Sequence, residues 1–199
     1  MKNMKTIGLT GGIASGKSMV ARVLQEMGAV LLSADKIGHQ VIEPGKTAYY
    51  DLIDNFGKEI LNADGTINRK ELGGIVFKDP QKLKLLNQLT HPPIMQEIKL
   101  KLAQIEQEQP EAIVVMEIPL LYETRMEKLF DQVWVVWVDR ETQIKRLMAR
   151  DAIDRSDAIS RIDSQMPLDE KARRADLVID NCGSIEETIA KATRYFNNI

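Results

Sequence analysis

An α/β fold, with a parallel sheet covered by helices on both faces, is what this 199-residue sequence predicts. Three observations carry the prediction. Five short apolar runs alternate with helical periodicity, the pattern of right-handed strand–helix–strand crossovers. The first run leads at once into Gly11-Gly12-Ile13-Ala14-Ser15-Gly16-Lys17-Ser18, which fits G-x-x-x-x-G-K-[ST] and opens a helix. Residues 47–109 carry no strand pattern, so a helical insertion interrupts the alternation.

Each element has its own local reason. Thr6-Ile7-Gly8-Leu9-Thr10 is short and apolar enough for a buried strand; Lys17 to Met27 is the helix after it, with Gly28 as C-cap. Ala29-Val30-Leu31-Leu32 is a second strand, taken as the neighbour of the first. It ends at Ser33-Ala34-Asp35, and a helix runs on through Val41 until Glu43-Pro44-Gly45 breaks it. Within the insertion, Tyr50, Ile53 and Phe56 share one face, and Asn62-Ala63-Asp64-Gly65 is a turn. Asp79-Pro80 is an N-cap followed by proline at the first helical position. His91-Pro92-Pro93 is expected to separate that helix from a long one, Ile94 to Gln107. Ala112 to Met116 is a third strand closed by Glu117-Ile118-Pro119, and Gln132 to Val138, β-branched and aromatic, is a fourth. Glu141 to Arg150 is a helix, followed by a polar, arginine-dotted segment from Asp151 to Met166. Asp176 to Asp180 is the fifth strand, and Ile185 to Phe196 closes the chain as an amphipathic helix capped by Ser184.

The glycine-rich stretch is the Walker A, or P-loop, pattern, and its chemistry is specific. Glycines let the backbone turn and approach a ligand, so that successive N–H groups form an anion-binding nest. The helix N-terminus adds unpaired N–H groups and the positive end of its dipole. Lys17 supplies a movable charge for β- and γ-phosphates, and the Ser18 hydroxyl suits Mg²⁺. The chain is expected to bind a nucleotide beyond the carboxyl ends of its strands, where the P-loop, Asp35 and Glu117 all fall.

Other residues carry two readings each. Asp35, at the mouth of what is taken as the adjacent strand, suits a carboxylate that positions an acceptor hydroxyl and takes its proton; it equally suits a helix cap. Glu117 ends an apolar run as a Walker B acid holding Mg²⁺ does, and as many strand-end acids do. Arg146 and Arg150 share a helical face, with Arg155 and Arg161 beyond them. Acidic residues are as numerous as basic ones in this region, which describes a solvated helical hairpin or a lid closing on ATP. His91 and His39 read as helix-end hydrogen-bonding groups, without zinc-site spacing.

Composition narrows the classes. Lys plus Arg is 27 against 29 for Asp plus Glu, a net charge of −2, so no basic excess points to nucleic acid. Cys182 is the sole cysteine, which excludes an intrachain disulfide and a cysteine metal cluster. The opening Met1-Lys2-Asn3-Met4-Lys5 passes straight into the first strand with no signal-like apolar stretch, and no run is long enough for a membrane helix. A soluble, cytoplasmic protein without membrane partners is expected. A regulatory GTPase is disfavoured: Asp35-Lys36-Ile37-Gly38 and Asp54-Asn55-Phe56-Gly57 match D-x-x-G, but the first comes too early and no Asn-Lys-x-Asp follows.

Taken together, Thr10 to Ser18, Ser33-Ala34-Asp35 with Val41 to Gly45, Asp64-Gly65, Leu89 to Pro92, Ile118 to Glu123, Gln143 to Leu147, Arg161 to Gln165 and Ala175 to Asn181 resemble the dephospho-CoA kinase family over nearly the whole chain. The family often has Asp where Ser33 and Glu117 stand. The first departure leaves Asp35 the sole carboxylate of its motif; the second keeps the metal role. The resemblance implies a P-loop NTPase fold with a five-stranded parallel sheet, a helical substrate-binding insertion and a lid. It implies ATP-dependent phosphorylation of the ribose 3′-hydroxyl of dephospho-CoA to coenzyme A and ADP, the final step of coenzyme A biosynthesis. By position, the core is 1–34, 110–139 and 167–199, the CoA-binding region 35–109 and the lid 140–166. The implied catalytic residues are Asp35, Lys17 and Arg146, and the ATP-binding ones Gly12, Ala14, Ser15, Gly16, Lys17, Ser18 and Met19. Thr10, Asp35, His91 and Arg161 are implied on the substrate side, with Ser18 and Glu117 on Mg²⁺. A different small-molecule acceptor, such as a nucleoside monophosphate, is the alternative within kinases, and a monomer or weak homo-oligomer is expected.

Overall fold

The structure, a computed structural model, describes residues 3–199; Met1 and Lys2, part of the polar lead-in, lie outside the described residues. In chain order the elements are β1 (Lys5–Gly11), α1 (Lys17–Glu26), β2 (Val30–Ser33), α2 (Ala34–Gln40), α3 (Thr47–Phe56), α4 (Arg69–Val76) and α5 (Pro80–Glu108). There follow β3 (Ile113–Glu117), β4 (Gln132–Trp137), α6 (Arg140–Asp151), α7 (Arg155–Asp163), α8 (Leu168–Arg174), β5 (Leu177–Asp180) and α9 (Ile185–Phe196). The chain forms two compact units: everything described up to Ser33 with Glu108–Ile199, and Ala34–Gln107.

The first unit holds one five-stranded parallel sheet in the order β2-β3-β1-β4-β5. β3 therefore lies between β2 and β1, which corrects the expectation that β2, the strand before Asp35, is the neighbour of the P-loop strand. The apolar strength of β3 explains the order: Val114, Val115 and Met116 are all buried, as a strand covered on both faces requires. Pairing β1 with β3 in the register Leu9↔Glu117 brings the Glu117 carboxylate to the P-loop end of the sheet. One core cluster joins Ile7, Leu9, Val115, Trp134 and Val136 of the sheet to Val20 and Leu24 of α1 and Ala192 and Phe196 of α9.

Caps follow the local code. Gly28, at φ 101, ends α1 as a Schellman motif: its N–H donates to Gln25 O and that of Ala29 to Leu24 O. Ser184 and Glu187 form a complete capping box on α9.

In the second unit, α3, α4 and part of α5 close on a separate core of Tyr49, Leu52, Phe56, Ile60, Ile67, Leu72 and Val76. α5 runs unbroken through His91-Pro92-Pro93, contrary to the expected separation. Proline's fixed φ of about −65° is itself helical; what each ring costs the helix is an N–H and a clash with the carbonyl four residues back. The carbonyls affected are those of Gln88 and Leu89, on a helix in which Ile98 alone is fully buried. One turn earlier, Thr90 Oγ1 donates to Leu86 O at 2.8 Å.

Among the described residues no helix is long and apolar enough to cross a membrane.

Candidate active site

The P-loop leaves β1 and turns into α1 through two left-handed residues, Ala14 at φ 59 and Gly16 at φ 90. At Gly16 the conformation disfavours any side chain, and a Cβ would sit 2.1 Å from Asn181 Nδ2. A Cβ on Gly12 would meet Gln143 Nε2 at 2.5 Å. Both amides pack so closely because they hold the loop. Gln143 Nε2 donates to Ile13 O at 2.8 Å, and Asn181 Nδ2 to Ser15 O at 2.8 Å. Gln165 Oε1 accepts the Ile13 N–H at 3.0 Å. The side chains of Ile13 and Ala14 pack on an apolar cluster of α6 and α7 built from Ile144, Leu147, Ala158 and Ile162. Loop shape is thus imposed by carboxamides and apolar contacts from distant parts of the chain.

This arrangement borders a cleft of about 420 Å³ lined by Gly11 to Met19, Pro119, Arg146, Arg150 and Gln165. At one side Glu117 Oε1 accepts from Ser18 Oγ at 2.6 Å and is ion-paired with Lys17 Nζ. Arg146 Nη2 donates to Asn181 O at 2.9 Å, so the guanidinium is anchored to the same asparagine that holds Ser15. A larger cavity, about 580 Å³, lies within the helical unit between the Gln40–Ala48 stretch and α5. It lacks a glycine-rich nest; the smaller cleft has the chemistry for phosphate.

Lys17, Ser18, Glu117 and Arg146 are thus gathered in the first unit with Gly12, Ala14, Ser15, Gly16 and Met19. Thr10 is buried beneath them, its hydroxyl donating to Pro119 O at 3.2 Å. Arg161 is directed elsewhere: it pairs with Asp151 Oδ2 at 3.0 Å, a carboxylate that also binds Arg150 Nε at 2.8 Å. Asp35 and His91 belong to the helical unit. Asp35 is exposed in the first turn of α2, one residue past its start, so it is not the helix cap. His91 sits half-buried in α5, where burial lowers its pKa below the ordinary histidine value. His39 Nδ1 lies 3.4 Å from Arg69 Nη1; burial and that guanidinium lower its pKa, against the Asp35 charge.

No local pattern in the sequence marks Gln143, Gln165 and Asn181 as loop-holding amides, or Lys171 as a buried cation. The first three stand inside stretches that carried the family resemblance, which was their only signal. Lys171 belongs to α8, a helix that the charged run Leu168–Arg174 gave no reason to expect.

Ser18 Oγ and Glu117 are hard oxygen donors already in contact, which fits Mg²⁺, an ion that takes few protein oxygens and completes its shell with water and phosphate. Among the described residues no three of His, Cys, Asp and Glu are grouped to form a cage of their own.

The fold and this cleft define a P-loop kinase. Shikimate kinase from Acinetobacter baumannii shares the fold, at 14% identity and a TM-score of 0.53, over 99% of this chain and 93% of that one. The match to one kinase family is far closer. The profile described as dephospho-CoA kinase matches residues 5–187. Dephospho-CoA kinase from Carboxydothermus hydrogenoformans is 52% identical over 182 residues, 92% of this chain and 88% of the relative. The structure of dephospho-CoA kinase from Campylobacter jejuni superposes with a TM-score of 0.75 at 31% identity, over 98% and 96% of the two chains. The chain belongs to the dephospho-CoA kinase family, the kinases that catalyse the final step of coenzyme A biosynthesis.

Proposed function

We propose that this kinase works through the residues gathered at the P-loop, with ATP·Mg²⁺ as donor and the ribose 3′-hydroxyl of dephospho-CoA as acceptor. The observation that carries the assignment is the convergence of Lys17 and Ser18 on Glu117 at the mouth of the glycine-rich loop. Backbone N–H groups from Ala14 to Met19 cradle the phosphates, and Lys17 meets the β- and γ-phosphates as the loop's movable charge. Ser18 and Glu117 hold Mg²⁺, which when bound neutralises charge on the transferring group. Arg146, anchored by Asn181 O, stabilises charge that develops on the phosphoryl group. Asp35 aligns the acceptor hydroxyl and takes its proton.

His91 and Arg161 serve the substrate side; Thr10, buried with its hydroxyl on Pro119 O, supports that side from beneath the loop. Arg161 does so by exchanging Asp151 for an anionic group of the substrate. On this reading residues 35–109 form the CoA-binding region and 140–166 the lid on a core of 1–34, 110–139 and 167–199. The enzyme acts in the cytoplasm as a monomer or weak homo-oligomer.

The test is a coupled ADP-release assay across acceptors. Turnover with dephospho-CoA far above that with nucleoside monophosphates, and dependent on added Mg²⁺, is the expected result. Preference for a nucleoside monophosphate overturns the acceptor assignment.

A further inference from the structure

Lys171, in α8, is completely buried. An ammonium without water is costly unless hydrogen-bonded and paired, and a hydrophobe of similar volume would fill the same space without that cost. Lys171 Nζ donates to Pro119 O at 2.8 Å and pairs with Glu123 Oε1 at 2.9 Å. Both partners lead to the phosphate loop. Pro119 lines the cleft two residues past Glu117, and its carbonyl also accepts the Thr10 hydroxyl. Glu123 Oε1 also accepts the Met166 N–H at 3.0 Å. The residue before Met166 is Gln165, whose Oε1 accepts the Ile13 N–H. One buried charge thus ties the segment after β3 to the segment before α8, and each of those segments touches the loop or the strand that carries it.

We infer that Lys171 is a positioning residue for phosphoryl transfer: it sets the Pro119 carbonyl and, through Glu123, the Gln165–Met166 segment that fixes the Ile13 peptide. The inference rests on the P-loop cleft being the phosphoryl-transfer site. Lys171 is also within electrostatic reach of Lys17. Burial pushes its pKa below the ordinary lysine range, Glu123 opposes this, and the Lys17 charge adds to the lowering. A lysine kept only for stability needs none of these links to the loop.

The experiment compares Lys171→Met, Glu123→Gln and the double variant with wild type, with Lys17→Ala as a control on the site. Melting curves and far-UV circular dichroism give the folded fraction; steady-state kinetics with saturating dephospho-CoA give kcat and the KM for ATP per folded enzyme. Lys171→Met is expected to lower kcat by roughly 10- to 100-fold, more than it raises KM, since a small misplacement of catalytic groups costs that much. Glu123→Gln should shift kcat in the same direction by less, and the double variant should lose far less than the product of the two losses, because both act through one link. Wild-type kcat in folded Lys171→Met overturns the inference, whatever its melting temperature. If Lys171→Met does not fold, Glu123→Gln decides, and wild-type kcat there overturns it equally. An active Lys17→Ala overturns the site reading as well; an inactive Lys17→Ala beside an active Lys171→Met overturns only the role of Lys171.

Discussion

Lys17 Nζ and Glu117 Oε1 form an ion pair at the mouth of the P-loop, with side chains only 12% and 16% exposed. Nothing in the sequence marks a structural partner for Lys17; the register of β1 on β3 supplies one. Removing Lys17 therefore has two consequences. Lys17→Ala is expected to lower kcat at least about 100-fold, near 2.7 kcal/mol of transition-state stabilisation. It should lower the melting temperature only modestly, because Glu117 keeps the Ser18 hydroxyl at 2.6 Å. Rapid-quench or steady-state kinetics beside a melting curve checks both, and a kcat within tenfold of wild type would remove Lys17 from phosphate stabilisation.

Arg146 faces the same cleft but is held from behind by Asn181 O at 2.9 Å. A preorganised donor acts most strongly on charge that appears in the transition state. Arg146→Ala should thus reduce kcat by about 10²–10³-fold and raise the KM for ATP by much less. A weakened KM with normal kcat would move Arg146 to ground-state binding of ATP.

Asp35 separates a base from a cap more sharply than the sequence allowed. Because α2 starts at Ala34, the Asp35 carboxylate does not cap it, and loss of that carboxylate leaves the helix start in place. Asp35→Asn is expected to lower kcat by roughly 10²–10⁴-fold. The melting temperature should move by less than about 2 °C, as for an exposed substitution. Positioning accounts for much of the kinetic loss, since loose phosphoryl-transfer transition states ask little of a base. Wild-type turnover in Asp35→Asn would strike it from the catalytic residues.

Asp139 gives a pH test of the fold around α6. Its carboxylate accepts from the Thr142 hydroxyl and backbone N–H as the helix cap, and these bonds hold its pKa down at about 2, below the ordinary 3.8. A carboxyl depressed on folding stabilises the native state above its unfolded pKa, and that contribution disappears as pH falls through the folded value. Asp139→Asn keeps a cap but removes the titration. The slope of melting temperature against pH between about 4 and 2 should be shallower in the variant than in wild type. Parallel slopes would show that the cap bonds do not distinguish the ionised form.

How much was legible in the sequence depends on how far each signal reaches along the chain. The strands, Gly28 as a C-cap and Ser184 as an N-cap are written within a few residues, as periodicity and caps are, and they stand in the structure within one or two residues of their expected bounds. The sequence of Gly11 to Ser18 likewise contains the phosphate-binding loop, because glycine spacing and a lysine at a helix start are local requirements. The proline pair was local too, yet misleading: a lost N–H and a ring clash disfavour proline inside a helix, but α5 continues through both rings.

What the sequence by itself determined was therefore the five strands and the helices that follow them closely, the loop and the family that its ordered motifs resemble, but neither α8 nor the continuity of α5. Only the tertiary structure decided which strand adjoins β1, and so that Glu117 meets Lys17 and Ser18. It alone decided that Gln165 accepts the Ile13 N–H across 152 positions and that Gln143 donates to the carbonyl of the same residue across 130. It also turned Lys171, one charge among several in Leu168–Arg174, into a buried ammonium. The physical reason is common to all of these. A buried amide or charge is selected by the partner that satisfies it, and closure of the sheet chooses that partner from a distant part of the chain, where no period or spacing records it.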